Sequence, residues 1–354
     1  MKSSSKFFKN SKELPLDNFF YNVLYDKKFG YYSSKNPFGK KGDFITAPGI
    51  SNLFSEMIAI WIVATWEMFG RPKILNLVEL GPGDGSLTKK ILNISKRFPN
   101  FDSAKKIYLY EKSDFLKKIQ KKNLKSFKVK WVNNFNKIKN GPIIFFGNEF
   151  FDALPIKQFK RDKNNIYEKY LKLGKGYKIE EFFKSAKLQD IKIIQSYKIL
   201  NNLKNIEFPK SGFKELKKVT KSINRLNGCV LLIDYGYFKP NNQNTMQSVM
   251  KNKKNNLFSN LGKADVTAHV NFSLLREFLI KNNLKVKKII YQKDYLNNLG
   301  ILKRADIIAK NMKFREQANL YLRLKRLIHP KMMGELFKVI LAFKFKNSNF
   351  SGFN

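Results

Sequence analysis

Apolar positions along this 354-residue chain change period several times, and each change predicts a boundary. Leu14, Leu16, Phe19, Phe20, Val23 and Leu24 share one face of a helix predicted over 14–27. A Gly-, Pro- and Ser-rich stretch over 29–48 follows, then a largely apolar helix over 50–69. From 74 onward short apolar runs alternate with amphipathic segments. Strands are predicted at 74–80, 106–111, 127–132 and 142–147, with helices at 86–97 and 113–122. After an interruption the alternation resumes: helix 212–226, strand 228–234, a long loop 237–269, helix 271–282, strand 285–291, helical sequence over 300–329 and a last strand 336–345.

Strands separated by helices require right-handed crossovers and a parallel sheet. The expected fold is therefore α/β, a Rossmann-like sheet of seven strands whose last pair runs antiparallel. The interruption, 156–210, has the two-residue alternation of antiparallel hairpins, as in Ile166-Tyr167-Glu168-Lys169-Tyr170-Leu171, with Gly174 and Gly176 as turn residues. Four regions follow: N-terminal helices and a lid loop (1–70), the ligand-binding half of the core (71–155), an inserted antiparallel lobe (156–210), and the rest of the core with a helical insertion (211–354).

The first predicted strand carries the strongest chemical signal. It ends Val78-Glu79-Leu80 and opens into Gly81-Pro82-Gly83-Asp84-Gly85 before helical sequence. Open α/β sheets bind ligands beyond the carboxyl ends of their strands, and such a turn lets backbone approach a ligand with no Cβ between. The dinucleotide spacing Gly-x-Gly-x-x-Gly is not met, because Ser86 stands at its third glycine, and no Gly-Lys-Ser/Thr phosphate loop follows. An acid before Gly-x-Gly-x-Gly instead resembles the first motif of S-adenosylmethionine-dependent methyltransferases. That resemblance implies S-adenosyl-L-methionine as cofactor, with Glu79, Gly81, Gly83 and Gly85 at its amino-acid end; a ligand-free glycine turn is the alternative.

Other strand ends supply further candidates. Glu111 closes the second strand, where an acid is placed to accept ribose hydroxyls; a solvated acid is the alternative. Asn133 follows the third strand, where its amide could meet adenine or simply form an Asx turn. The fourth strand runs into Asn148-Glu149-Phe150-Phe151-Asp152-Ala153-Leu154-Pro155. Asn148 is grouped with the cofactor residues. Glu149 and Asp152, carboxylates in an aromatic run, call for a cationic partner, and a guanidinium fits best. A helix start capped by Asp152 would explain Asp152 and Pro155 but not Asn148-Glu149. Asp43, in Gly42-Asp43-Phe44-Ile45-Thr46-Ala47-Pro48, belongs to a loop read as a lid, with a Thr46-capped helix start as the alternative. Asp234, at the end of strand 228–234, and Asp265 with His269 are candidate substrate contacts.

Composition narrows the function classes. No apolar run approaches a membrane span. One cysteine, Cys229, excludes an internal disulfide framework and a cysteine zinc cluster, and no His/Asp/Glu group has metal-ligand spacing. The net charge of +42 invites a nucleic-acid reading, but the excess is lysine spread over the whole chain, and arginine is scarce. It reads as compositional bias, and no specific nucleic-acid partner is expected. The first ten residues are basic and serine-rich without an apolar segment, unlike a secretory signal, and about a dozen residues before the first core positions are short for a mitochondrial presequence.

Taken in order, Gly30-Tyr31-Tyr32, Pro37-Phe38-Gly39, Gly42–Pro48, Val78–Gly85, Asn148–Pro155, Ile233–Gly236, Ala264–Phe272 and Pro330 with Met333-Gly334 resemble the MidA-like S-adenosylmethionine-dependent methyltransferases. The family includes the mitochondrial complex I assembly-factor protein-arginine methyltransferase and many bacterial relatives. The resemblance implies a methyltransferase sheet and symmetric dimethylation of an arginine on a protein partner, in the eukaryotic case a complex I subunit. Glu149, Asp152 and Asp43 are the candidate catalytic acids for that chemistry. A start close to the family core favours a bacterial, cytoplasmic member; a eukaryotic source would point to the mitochondrial matrix. A homodimer is one candidate oligomeric state. Two positions depart from the family: Gly49 stands where an acid is usual, and Met250-Lys251-Asn252-Lys253 where a histidine is usual. A non-catalytic assembly chaperone and an RNA methyltransferase are the competing functions.

Overall fold

The computed structural model describes residues 4–34, 37, 43, 46–239 and 242–353. The strands in chain order are β1 (Glu13–Pro15), β2 (Leu75–Leu80), β3 (Lys105–Tyr110), β4 (Val129–Trp131), β5 (Ile143–Asn148), β6 (Lys157–Asp162), β7 (Asn165–Leu173), β8 (Ile179–Ser185) and β9 (Asn205–Phe208). They continue with β10 (Gly228–Tyr237), β11 (Gln247–Met250), β12 (Lys253–Asn255), β13 (Asp265–Thr267), β14 (Val270–Asn271), β15 (Lys285–Val286), β16 (Ile290–Tyr291) and β17 (Phe337–Lys344).

The central sheet has the order β15-β17-β10-β5-β2-β3-β4. β2, β3, β4, β5 and β10 run parallel, and β17 is antiparallel to both its neighbours. The continuous apolar runs of the sequence are explained by burial on both faces. Along β10, Cys229, Leu231 and Ile233 join the core on one face, with helices Asn52–Met68 and Ser86–Ser95. Val230 and Leu232 join the other, with helices Lys210–Leu226 and Phe272–Lys281.

Every predicted core strand segment lies in this sheet, with local corrections. The strand expected over 285–291 is broken into β15 and β16. Lys285 and Val286 face Phe343 and Ala342, but Ile290 and Tyr291 face Val339 and Lys338, a register shift of one residue. One extra residue on the edge strand is a β-bulge, which bends it away from further pairing. The helix expected from 14 begins at Leu16, because Glu13–Pro15 pairs with β7 instead. The helix expected over 50–69 is divided by extended Ser51, whose hydroxyl caps the segment Asn52–Met68 by accepting from Leu53 N–H at 3.2 Å.

β6 to β9 form the antiparallel sheet that interrupts the alternation, with β1 joined to β7. The loop expected over 237–269 contains a three-stranded sheet, β12-β11-β13. Of the lid stretch Gly42–Pro48, residues 42, 44 and 45 lie outside the described residues, as do residues 38 and 39. Among the described residues no helix is long and apolar enough to cross a membrane, and no group of His, Cys, Asp and Glu could hold a metal ion.

Candidate active site

The carboxyl ends of β2, β3, β5 and β10 open on one cavity of about 370 Å³. Its floor at β2 is the glycine turn. Gly81, Gly83 and Gly85 have φ of 63°, 57° and 83°, and Gly81 and Gly83 line the cavity while Gly85 starts the helix Ser86–Ser95. The turn is held from beneath: Gln120 donates to the Gly83 carbonyl at 2.8 Å and Asn123 to the Asp84 carbonyl at 2.8 Å. Gln120 also donates to Glu111 at 3.2 Å, and Trp131 Nε1 donates to Gln120 at 2.8 Å, so β4 steadies the acid at the end of β3. Glu111 accepts the Ser113 N–H at 2.8 Å, and burial raises its pKa.

A second acidic wall follows β5. Glu149 takes φ = 52°, a left-handed conformation uncommon for such a residue, directly after Asn148. Asp234, on neighbouring β10, sets this turn: it accepts the N–H groups of Phe151 and Asp152 at 2.9 and 3.2 Å. The motif after β5 and Asp234-Tyr235-Gly236, which lie within β10 because that strand runs past the expected end at 234, therefore form one unit. Asp152 accepts from the Tyr235 hydroxyl at 2.5 Å, while its Oδ1 is buried without a hydrogen-bond partner. Glu149 accepts from Asn148 at 2.9 Å, and Asp265 accepts from the Tyr32 hydroxyl at 3.1 Å.

Burial is the leading cause of raised pKa values in this wall, with mutual repulsion adding to it. Glu149 is pushed up to about 7 by burial and then by Asp152. Asp152 rises to about 6 through burial, opposed by the Tyr235 hydrogen bond, and Asp265 to about 8 through burial and Asp152. Asp234 is raised by burial and by Asp152. His269 is pushed down by burial and by Lys338, and its ring meets Tyr235 edge-on at 5.4 Å.

Gly81, Gly83, Glu111, Glu149, Asp152, Asp265 and His269 thus share one cavity; the remaining sequence candidates do not line it. Glu79 is buried in β2, takes a hydrogen bond from the Thr88 hydroxyl, and is pushed up to about 8 mainly by burial. Asn133 is exposed, and Asn134 beside it makes the Asx turn, accepting from Asn136 N–H at 2.9 Å. Asp43 accepts from the Tyr31 hydroxyl at 2.7 Å and from Lys251 N–H at 2.9 Å, so it ties the N-terminal region to the β11–β12 turn. Asn148 lies behind Glu149, and Asp234 acts on the turn through backbone groups. Tyr25, Tyr32, Tyr235, Thr267 and Arg326 line the cavity without having been singled out. Tyr32 and Tyr235 lie within motifs noted for resemblance; Arg326 carries no local signal, since only the fold brings its helix to the sheet.

The glycine turn, an acid at the end of the neighbouring strand and the order of the sheet define an S-adenosylmethionine-dependent methyltransferase. A family model described as "Putative S-adenosyl-L-methionine-dependent methyltransferase" matches residues 57–290, and the chain belongs to that family. It is similar to the mitochondrial protein arginine methyltransferase NDUFAF7 of Xenopus tropicalis, 26% identical over 93% of this chain and 82% of the relative. The Caenorhabditis elegans homolog of that protein is 30% identical over 81% of this chain and 74% of the relative. A crystal structure from Burkholderia thailandensis bound to S-adenosyl-homocysteine shares the fold, with a TM-score of 0.83, 20% identity, and coverage of 99% of this chain and 92% of that one. S-adenosyl-L-methionine is the cofactor. The residues fit it: two left-handed glycines face the cavity, and a buried carboxylate lies beyond the next strand.

Proposed function

We propose that the chain methylates the guanidinium of an arginine on a protein partner. The observation that carries this reading is the buried, unpartnered Asp152 Oδ1, flanked in one cavity by Glu149 and Asp265, inside a chain of net charge +42. A buried carboxylate oxygen without a partner is costly even with Arg326 at the cavity wall drawing Glu149 down, and a cationic guest relieves that cost. Tyr25, Tyr32 and Tyr235 add aromatic surface beside the acids, which also favours a cation.

When bound, S-adenosyl-L-methionine supplies a methyl group on a positively charged sulfur that leaves as a neutral thioether. Gly81 and Gly83 would hold its amino-acid end and Glu111 its ribose. The chain's own task is then to orient the acceptor. Glu149 and Asp152 would receive the N–H groups of the guanidinium fork and confine its delocalised charge, freeing one nitrogen lone pair for attack. The proton lost as the nitrogen–carbon bond forms would pass to Asp152 Oδ1. Tyr235, donating to the other oxygen, keeps Oδ1 turned to the cavity. The names of the relatives support the arginine assignment; symmetric dimethylation and a complex I-type subunit as partner are carried by the family resemblance.

Methyl incorporation into a partner extract by wild type and Glu149→Gln, at equal cofactor occupancy, tests this. The amide removes the charge and turns an NH₂ toward the arginine donors, so incorporation should fall at least about a hundredfold, of the order lost with a transition-state contact. Equal incorporation would move the catalytic carboxylate elsewhere, with Asp43 and Asp234 next in line; no incorporation by either protein would favour a chaperone.

A further inference from the structure

The chain's charge is arranged in opposite senses inside and outside this cavity. Its walls carry Glu111, Glu149, Asp152 and Asp265 beside Lys112 and Arg326, while two elements at its rim are rich in basic residues. One is the β11–β12 hairpin: Gln247 and Val249 line the cavity, and Lys251, Lys253 and Lys254 follow at its exposed tip. No acid occurs between Gln247 and Ala264. The tip is fixed in place, since the Asp43 carboxylate and carbonyl accept the N–H groups of Lys251 and Asn252 at 2.9 and 3.0 Å. This is also the segment where the family histidine is replaced.

The other element is the helix Phe314–Ile328, whose Arg326 lines the cavity and whose Arg323, three residues earlier, shares its face. No acid occurs from Gln317 to Gly334. Lysine abundance pervades the chain, but arginine does not: there are nine arginines in 354 residues, and three (Arg315, Arg323 and Arg326) lie on this one fifteen-residue helix. Arg323 and Arg326 are exposed, and neither they nor the hairpin lysines form an ion pair among the described residues. A guanidinium is the side chain that forks onto a carboxylate.

Resting on the arginine reading of the cavity, we infer that the acceptor is a single arginine set within an acidic protein segment, whose carboxylates dock on the Arg323–Arg326 helix face and the Lys251–Lys254 hairpin. The cavity acids take the arginine and the rim takes its neighbours. A basic arginine–glycine repeat would satisfy the cavity and be repelled at the rim. A nucleic acid would satisfy the rim, but its phosphates would meet four carboxylates inside.

Two fluorescent peptides separate these cases: one arginine flanked by glutamates, and its twin flanked by lysines, titrated into the full chain with S-adenosyl-homocysteine present. The acid-flanked peptide should bind at least about tenfold more tightly at low ionic strength, and the preference should shrink as salt rises. Arg323→Glu and, independently, Lys253→Glu should each weaken it about fivefold while cofactor affinity holds; Lys192→Glu, on the helix Leu188–Gln195, which contributes nothing to the cavity lining, should do so far less. Equal binding of the twins, an equal effect of Lys192→Glu, or displacement of the peptide by a tighter-binding RNA oligomer would overturn the inference. Labelled methyl transfer to the bound peptide is scored separately: tight binding with no methylarginine contradicts the arginine reading and leaves the acidic rim partner standing.

Discussion

At the scale of single residues, the site depends on acids kept where water is scarce. Asp265 illustrates the cost. Its folded pKa of about 8 lies above the ordinary carboxyl range, with burial as the first cause and Asp152 the second. A raised folded pKa means that the stability linked to this group is fully present below the unfolded pKa and is lost as pH rises through the folded one. Asp265→Asn keeps an acceptor for the Tyr32 hydroxyl and removes the titration. Without ligand, the stability of wild type relative to this variant should therefore fall between about pH 4 and pH 8, by up to about 1.4 kcal/mol per pH unit. Chemical denaturation of both proteins across that range checks it; a constant difference would mean that Asp265 is already balanced by a charge in the folded protein.

At the scale of elements, what was legible in the sequence follows from how each element is stabilised. β2, β5, β10 and β17 are buried on both faces, so their sequences are continuous apolar runs that announce themselves. β12 reads Lys-Lys-Asn and exists only through pairing with β11, a contact that leaves no periodic trace. The bulge between β15 and β16 is invisible for the same reason: it is a matter of register against β17. The glycine turn was legible because its backbone dictates its residues. Gly83→Val tests whether that turn serves a ligand as well as the chain path. Gly70 provides the control, because it too has positive φ, 83°, yet nothing lies within 4 Å of where its Cβ would be. Gly83→Val and Gly70→Val share the backbone penalty, but only Gly83 faces the cavity. Calorimetric affinity for S-adenosyl-L-methionine should fall at least about tenfold for the first and hold for the second, a difference of about 1.4 kcal/mol. Equal affinities would detach the turn from the cofactor.

At the scale of the whole molecule, the candidate site is assembled by topology. Glu149 and Asp152 were recognisable as polar groups in an aromatic run, but the groups that orient them, Asp234 and Tyr235, arrive on β10 after the interposed antiparallel sheet. Arg326 comes from a helix nearly at the far end of the chain. The sequence showed which residues were out of place for a core; the fold shows that they share one cavity. On the proposed reading, the carboxylates that this chain of +42 net charge gathers around one cavity admit a cationic acceptor. The most direct test is the chemical identity of the methylated group. Partner extract labelled by the wild-type enzyme with methyl-labelled S-adenosyl-L-methionine is hydrolysed to amino acids and resolved by mass spectrometry. Label in methylated arginine, in the symmetric dimethyl form after long incubation, is the predicted result; label confined to another amino acid or to nucleic acid would contradict the account.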